Sequence, residues 1–183
     1  MPDFFDDNDL VFQFKNGLNK DAAFTQIIKK YQEKLYWHIR RMVVEHEDAN
    51  DILQNLFIKV WNNLDSFRED SQLYTWLYRI ATNESLTFLN KQKKRHLISF
   101  SNEISNLSNK IEADSYFDGN KLEWKLQLAI QKLPEKQRAV FMLRYFEEMP
   151  YEKMSKVFNT SEGALKASYH HAVKKIERFI LNN

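Results

Sequence analysis

Apolar side chains recur every three or four residues along most of this chain, the period of an α-helix laid against a core. From Asp21 the positions Phe24, Ile27, Ile28, Tyr31, Leu35, Ile39 and Met42 predict one long amphipathic helix. A second begins near Asp48 and carries Ile52, Leu53, Leu56, Phe57, Val60, Trp61 and Leu64. A third runs from about Leu73 to Lys94, with Trp76, Leu77, Ile80, Ala81, Leu86 and Leu89 inward. With a short helix near Asp9 to Lys15, these can close a small bundle around an aromatic-rich core. The pattern then collapses. Between His96 and Asn120 five serines, three asparagines and four acidic residues stand among few apolar ones, as in a flexible linker. A coil of that length spans roughly 25–30 Å on average and about 80 Å when stretched.

Periodicity resumes at Asn120, with Glu123 three residues on as a capping box. The stretch LPEKQRAVFMLRYFEEMPYEKMSKVFNTSEGALKASYHH (133–171) reads as two short amphipathic helices, a tight turn and a third helix with a basic outer face. Pro134 and Pro150 suit first turns of helices, and Asn159 suits a left-handed turn residue. Ser161 caps a helix whose inward stripe is Leu165, Tyr169, Ala172, Ile176 and Phe179. That is the sequence form of a helix-turn-helix reader of duplex DNA. Short residues at Gly163, Ala164 and Ala167 let the backbone approach a groove. Lys166, His170, His171, Lys174 and Lys175 supply the polar face, with the lysines suited to phosphate contacts.

Composition sharpens this to an all-α protein. Only three glycines and three prolines occur, too few for hairpins or glycine-rich phosphate loops. No cysteine is present, which removes disulfides, zinc fingers and thiol catalysis. No apolar run approaches a membrane span, and the acidic start MPDFFDDNDL is unlike a signal peptide, so a cytoplasmic protein is expected. Charge is uneven: residues 1–97 carry 14 basic and 14 acidic side chains, 98–120 carry 1 and 4, and 121–183 carry 12 and 7. A neutral module at 1–96, an acidic connector at 97–119 and a basic module at 120–183 imply different partners for each part. The linker reach exceeds one turn of duplex, about 34 Å, so the two modules could read separate sites on one DNA.

Within the first module, Arg79, Lys91, Lys93, Lys94 and Arg95 face only Glu84 between residues 76 and 95, and Phe67, Tyr74, Trp76 and Tyr78 lie among or beside them. Cations interleaved with aromatics suit single-stranded DNA, whose unstacked bases pack on rings. Trp76 itself, at helical spacing, is read as core. The acids Glu45, Glu47, Asp48 and Asp51 complement a helix N-terminus, and Gln54, Asn55 and Lys59 line a polar face able to dock another protein. Nothing points to catalysis. The histidines lack metal-binding spacing, adjacent His170 and His171 point about 100° apart on a helix, and no nucleophile elbow or Walker loop occurs. Neither a cofactor nor a metal is expected.

Three motifs together resemble the extracytoplasmic-function group of the sigma-70 family of bacterial RNA polymerase sigma factors. EDANDILQNLFIKVWNNLDSF (47–67) resembles the polymerase-docking helix of that family. FREDSQLYTWLYRIATNESLTFLNKQKKR (67–95) resembles its promoter-melting segment, and LPEKQRAVFMLRYFEEMPYEKMSKVF (133–158) with the following helix resembles its region 4. The resemblance implies a transcription initiation factor that directs core polymerase to promoters, with region 2 in the first module and region 4 in the last. It implies docking on the clamp helices of the β′ subunit through Asp48, Asp51, Gln54, Asn55, Phe57 and Trp61, and a contact of the last module with the β flap. Phe67, Arg68, Asp70 and Ser71 would form the loop that receives a base flipped from the −10 element, flanked by Arg79 and Asn83. Arg144, Lys166, Ser168, His170, His171 and Lys174 would meet the −35 element. An anti-sigma factor is the implied inhibitor. Glu69 stands where the family commonly has glycine, Asn55 replaces a frequent glutamate, Pro150 a capping serine, and Ser168 and His171 stand where arginines are common. The residues alone leave open a second reading, a stand-alone helix-turn-helix regulator with a sensing or dimerising bundle. That reading calls for an apolar cavity in the first module, whereas docking calls for a polar, acidic-leaning surface around Gln54.

Overall fold

A computed structural model describes residues 6–17, 19–96 and 121–182. Among these are eight α-helices: α1 (Asp7–Lys15), α2 (Lys20–Val43), α3 (His46–Asn63), α4 (Leu73–His96), α5 (Lys121–Gln131), α6 (Glu135–Tyr145), α7 (Tyr151–Phe158) and α8 (Glu162–Asn182). The connector, the Asn120 cap and the side chain of Arg95 lie outside the described residues.

Helix α2 buries Ala23, Ile27, Tyr31, Leu35, Ile39 and Met42 along one face, the stripe read from the sequence. It packs on α1, α3 and α4, whose Phe14, Leu56, Val60, Leu77 and Ala81 close the first core. Each fully buried aliphatic or aromatic side chain contributes about 1.5–3 kcal/mol of burial, so this stripe dominates the bundle. Helix α1 is longer by one turn edge than the spacing suggests, because Asp7 is held from α2: Lys30 Nζ lies 2.8 Å from Asp7 Oδ1 and Tyr31 Oη donates to Asp7 Oδ2 at 2.6 Å. In the last module the hydrophobic stripe of α8 buries Leu165, Ala172 and Ile176 against α5, α6 and α7, with Tyr169 and Phe179 half-buried. Pro134 and Pro150 occupy the capping positions that precede α6 and α7, not their first turns. Asn159 ends α7 with φ 50° and ψ 50°, the left-handed conformation expected of it, and Ser161 Oγ accepts from the Ala164 amide at 3.3 Å.

The two modules are packed together, where the sequence suggests separable heads. Helix α2 stops at Val44, whose φ of 72° turns the chain away. The last carbonyls of any helix lack an intrahelical partner. Here Gln131 Nε2 donates to the Arg41 carbonyl at 2.8 Å and Arg138 Nη1 to the Met42 carbonyl at 2.8 Å. Arg138 Nη2 also donates to Gln131 O at 2.6 Å, so one buried guanidinium joins α2 to the α5–α6 turn. Its charge sits at the negative end of the α2 dipole. Nearby, the Tyr78 hydroxyl of α4 donates to Glu147, and Arg41 stacks 4.3 Å from the Phe146 ring centroid. Burial pushes the Glu147 carboxyl up, against the opposing pull of that hydroxyl and of Arg41 and Lys34. Lys93 pairs with Glu135 across the same junction.

Two predictions follow from these buried polar groups. His38 is 1% exposed, its Nε2 is 3.0 Å from Thr82 Oγ1, and burial, with Arg41 nearby, lowers its imidazole from the ordinary 6.5 to about 3. A depressed base folds neutral, so its contribution is complete above the unfolded value and is lost as pH falls from 6.5 toward 3. Denaturant titrations should show stability dropping by about 1 kcal/mol per pH unit more in the wild type than in His38→Gln below pH 6. Arg138→Met leaves the Met42, Gln131 and Leu133 carbonyls without their guanidinium donor and should cost about 2–4 kcal/mol. Small-angle scattering should show an enlarged radius of gyration for that variant as the modules separate.

Candidate nucleic-acid interface

Two surfaces of the first module carry the residues singled out in the sequence. Helix α3 presents Asp51, Gln54, Asn55 and Trp61 outward, while Asp48 and Phe57 are half-buried. Intervals of three and four residues put them on one face. Ile58 lies in the same stripe and is 58% exposed, a large apolar residue among polar neighbours that the sequence reading passed over. Trp61 is 37% exposed and bridges the surface to the core, with its ring edge-on to Phe14 at 5.1 Å and to Phe24 at 5.0 Å between centroids. Phe57 completes the cluster, edge-on to Phe24 at 6.2 Å. Carboxylates at the start of this helix and aromatics toward its end make an acidic, partly apolar ridge, suited to a basic, apolar partner surface.

The second surface is a cleft of about 420 Å³ between the 3₁₀ turn and loop after α3 and one face of α4. Phe67, Arg68, Asp70 and Ser71 come from the loop, and Arg79 and Asn83 from α4; all six line the cleft. The loop residues stand 8 to 16 positions before Arg79 and Asn83, and positions 76, 79, 80 and 83 share the face of α4 that they meet. Trp76 is half-buried and forms a wall, its ring 5.0 Å from that of Phe67 and tilted by 37°. The core reading of Trp76 is therefore half of its role. Phe67 is 7% exposed, so its ring is fixed by packing. Lys59 of α3 and Glu84 of α4 close one end with an ion pair of 2.5 Å; the sequence puts Lys59 on the docking face, and a pairing across 25 residues is not legible in it. Donors, acceptors and an aromatic wall around an open cleft are what a base removed from its stack requires.

In the last module Lys166, His170, His171 and Lys174 are exposed along α8, with Ser168 half-buried. Beside them Gly163 has open space where a side chain would begin, so the start of α8 is free to approach a groove wall. His170 and His171 have ring centroids 6.2 Å apart with planes tilted by 56°. Arg144 is half-buried: its guanidinium lies 3.3 Å from the Met149 carbonyl and 5.2 Å from the Tyr151 ring centroid, bracing the α6–α7 turn. From α7, Lys153 Nζ donates to Gln72 Oε1 at 2.7 Å and Lys156 Nζ to the Asp70 carbonyl at 3.2 Å, so cations of the last module border the loop of the first. Among the described residues no group of three or more His, Cys, Asp or Glu side chains is arranged to hold a metal. No described helix is long and apolar enough to cross a membrane.

Comparison with known proteins identifies both modules. Residues 27–95 match the family described as Sigma-70 region 2, and residues 123–176 match Sigma-70, region 4. The chain is 30% identical to the ECF RNA polymerase sigma factor SigW of Bacillus subtilis (92% of this chain, 93% of that one). It is also 30% identical to the ECF RNA polymerase sigma-E factor of Escherichia coli (97% and 95%) and to the RNA polymerase sigma-H factor of Pseudomonas aeruginosa (94% and 92%). In fold it is similar to CnrH, solved in complex with the cytosolic domain of CnrY, at a TM-score of 0.69 and 21% identity over 97% of this chain and 98% of that one. It is equally similar to the sigma factor RpoE of Bartonella quintana, solved with the anti-sigma factor NepR, at 0.69 and 22% identity over 86% and 96%. With both regions in order and those relatives matched over nearly their whole length, the chain belongs to the sigma-70 family of RNA polymerase sigma factors, in its extracytoplasmic-function group.

Proposed function

We propose that this protein binds core RNA polymerase in the cytoplasm, directs it to promoters with −10 and −35 elements, aids opening of the duplex, and carries out no catalysis itself. The observation that carries this reading is the cleft where Phe67, Arg68, Asp70, Ser71, Arg79 and Asn83 converge beside the Trp76 ring. Flipping a base costs a few kcal/mol of stacking, which the aromatic wall and the polar groups offset by packing and hydrogen bonding. The outward face of α3, from Asp48 to Trp61, docks on the β′ clamp helices, with Asp51, Gln54, Asn55 and Ile58 outermost. Lys166, His170, His171, Lys174 and Ser168 on α8 meet the −35 element, and Arg144 stabilises the turn that presents them while its charge remains available to a phosphate. The last module also contacts the β flap. An anti-sigma factor that engages both modules is the expected inhibitor, in keeping with the partner chains of the two related structures. A stand-alone regulator with a sensing bundle is not favoured: the first module's cleft is lined by Arg68, Asp70, Arg79 and Asn83 and is no apolar cavity.

The test is reconstitution. Purified protein added to core polymerase of the source bacterium should start run-off transcripts on a subset of genomic fragments, and core enzyme alone should not. Asn83→Ala and Arg79→Ala, both at exposed positions, should lower open-complex formation about tenfold or more while core binding is kept. Failure of the wild type to direct any specific start would reject the proposal. Lys166→Ala and Lys174→Ala should each weaken binding of the holoenzyme to upstream duplex. Each should also reduce the slope of log affinity against log salt by about 0.9, the signature of one lost phosphate contact.

A further inference from the structure

The loop that lines the cleft has a back as well as a front. Its front, Arg68, Asp70 and Ser71, faces the cavity; Glu69 does not. Glu69 sits at φ 61°, a left-handed conformation that few residues other than glycine adopt without a compensating contact. Here the compensating contact comes from α1. Lys15 Nζ donates to the Phe67 carbonyl at 2.6 Å and to Glu69 Oε1 at 2.7 Å, and lies 5.8 Å from the Phe67 ring centroid. A second cation at the same corner, Lys20, is 2.7 Å from Asp65 Oδ2 at the foot of the loop. The anchor is rigid, since Leu10, Val11 and Phe14 of α1 are each 2% exposed or less.

From this geometry we infer that Lys15 is a positioning residue for the base-accepting loop. By holding the Phe67 carbonyl and the Glu69 carboxylate from behind, it keeps Glu69 in its left-handed turn and so presents Arg68, Asp70 and Ser71 to the flipped base. A loop already ordered loses less conformational freedom when DNA binds, and affinity rises by that amount. The exposed ion pair alone is worth little. The charge-assisted bond to a part-buried backbone carbonyl is worth more, because its loss also leaves that carbonyl unpartnered. The side chain touches no DNA in this scheme; it acts through Phe67 and Glu69. This inference rests on the base-accepting role proposed above for the cleft.

The experiment uses holoenzyme assembled from the full chain and core polymerase. The probe is a fluorescent single-stranded non-template oligonucleotide that the wild-type holoenzyme has selected from a randomised pool. Lys15→Met keeps the aliphatic stem and removes the charge; it should weaken oligonucleotide binding about tenfold, with core affinity unchanged and the melting temperature lowered by only a few degrees, the cost of the unpartnered carbonyl. Lys15→Arg should restore binding to within about twofold, since a guanidinium can donate to both acceptors. Glu69→Gln should weaken binding less than Lys15→Met, and the double variant should bind no worse than Lys15→Met alone, as expected for one shared contact. Wild-type binding by Lys15→Met, or a loss matched by lower core affinity, overturns the inference. Asn83→Ala separates the two levels: if it too binds like wild type, the base-accepting reading of the cleft fails, whereas a weak Asn83→Ala beside a normal Lys15→Met sinks only the role of Lys15.

Discussion

The open C-terminal end of α2 is the constraint on which the rest of the molecule depends. A helix must leave its final carbonyls unpaired, and burying them without donors is costly. The chain turns sharply at Val44, so the carbonyls of Arg41 and Met42 are not covered by a continuation of α2. Gln131 and Arg138 of the last module fill that need, and the buried guanidinium, its pKa lowered to about 10 by desolvation against the pull of Glu135, remains a cation at neutral pH. The same helix carries the stripe that assembles α1, α3 and α4. Thus one helix supplies an apolar face for the first core and a polar end for the second module.

The geometry of the cleft is a consequence of this arrangement. Packing on α2 sets α3 and α4 beside each other, and the short crossing between them has to pass over their ends, where it forms the loop. Phe67 is held in the core while its neighbours face outward, so a buried ring and exposed polar groups alternate along a few residues. Beyond the loop, Lys153 and Lys156 of α7 meet Gln72 and the Asp70 carbonyl. The second module therefore adds positive charge at the rim of the first module's cleft, where a nucleic-acid backbone would be attracted. Glu147 is the countercharge at the centre of the junction, bonded by Tyr78 and 3.9 Å from Arg41.

Much of this was legible in the sequence, because helices impose a local period. The stripe of α2, the left-handed Asn159, the Ser161 cap and the outward face of α8 each depend on residues within a turn or two of one another. So did the six residues of the cleft, which fall into two short runs on a loop and on one helix face. Ile58 was legible in principle as an apolar residue in a polar stripe. Pro134 and Pro150 were displaced by one residue from their expected positions, a boundary effect of the kind caps commonly produce.

The amino-acid sequence by itself determined the helices, their inward faces, the two modules and the basic outer face of α8, since each rests on contacts between near neighbours in the chain. Tertiary structure alone decided what is joined across long separations: Lys15 behind the loop, Lys59 against Glu84, and Arg138 on the end of α2. Charge patterning marks such residues only as polar. Which carbonyl or carboxylate each one meets depends on how the helices cross, and that is set by the shapes of the buried side chains acting together.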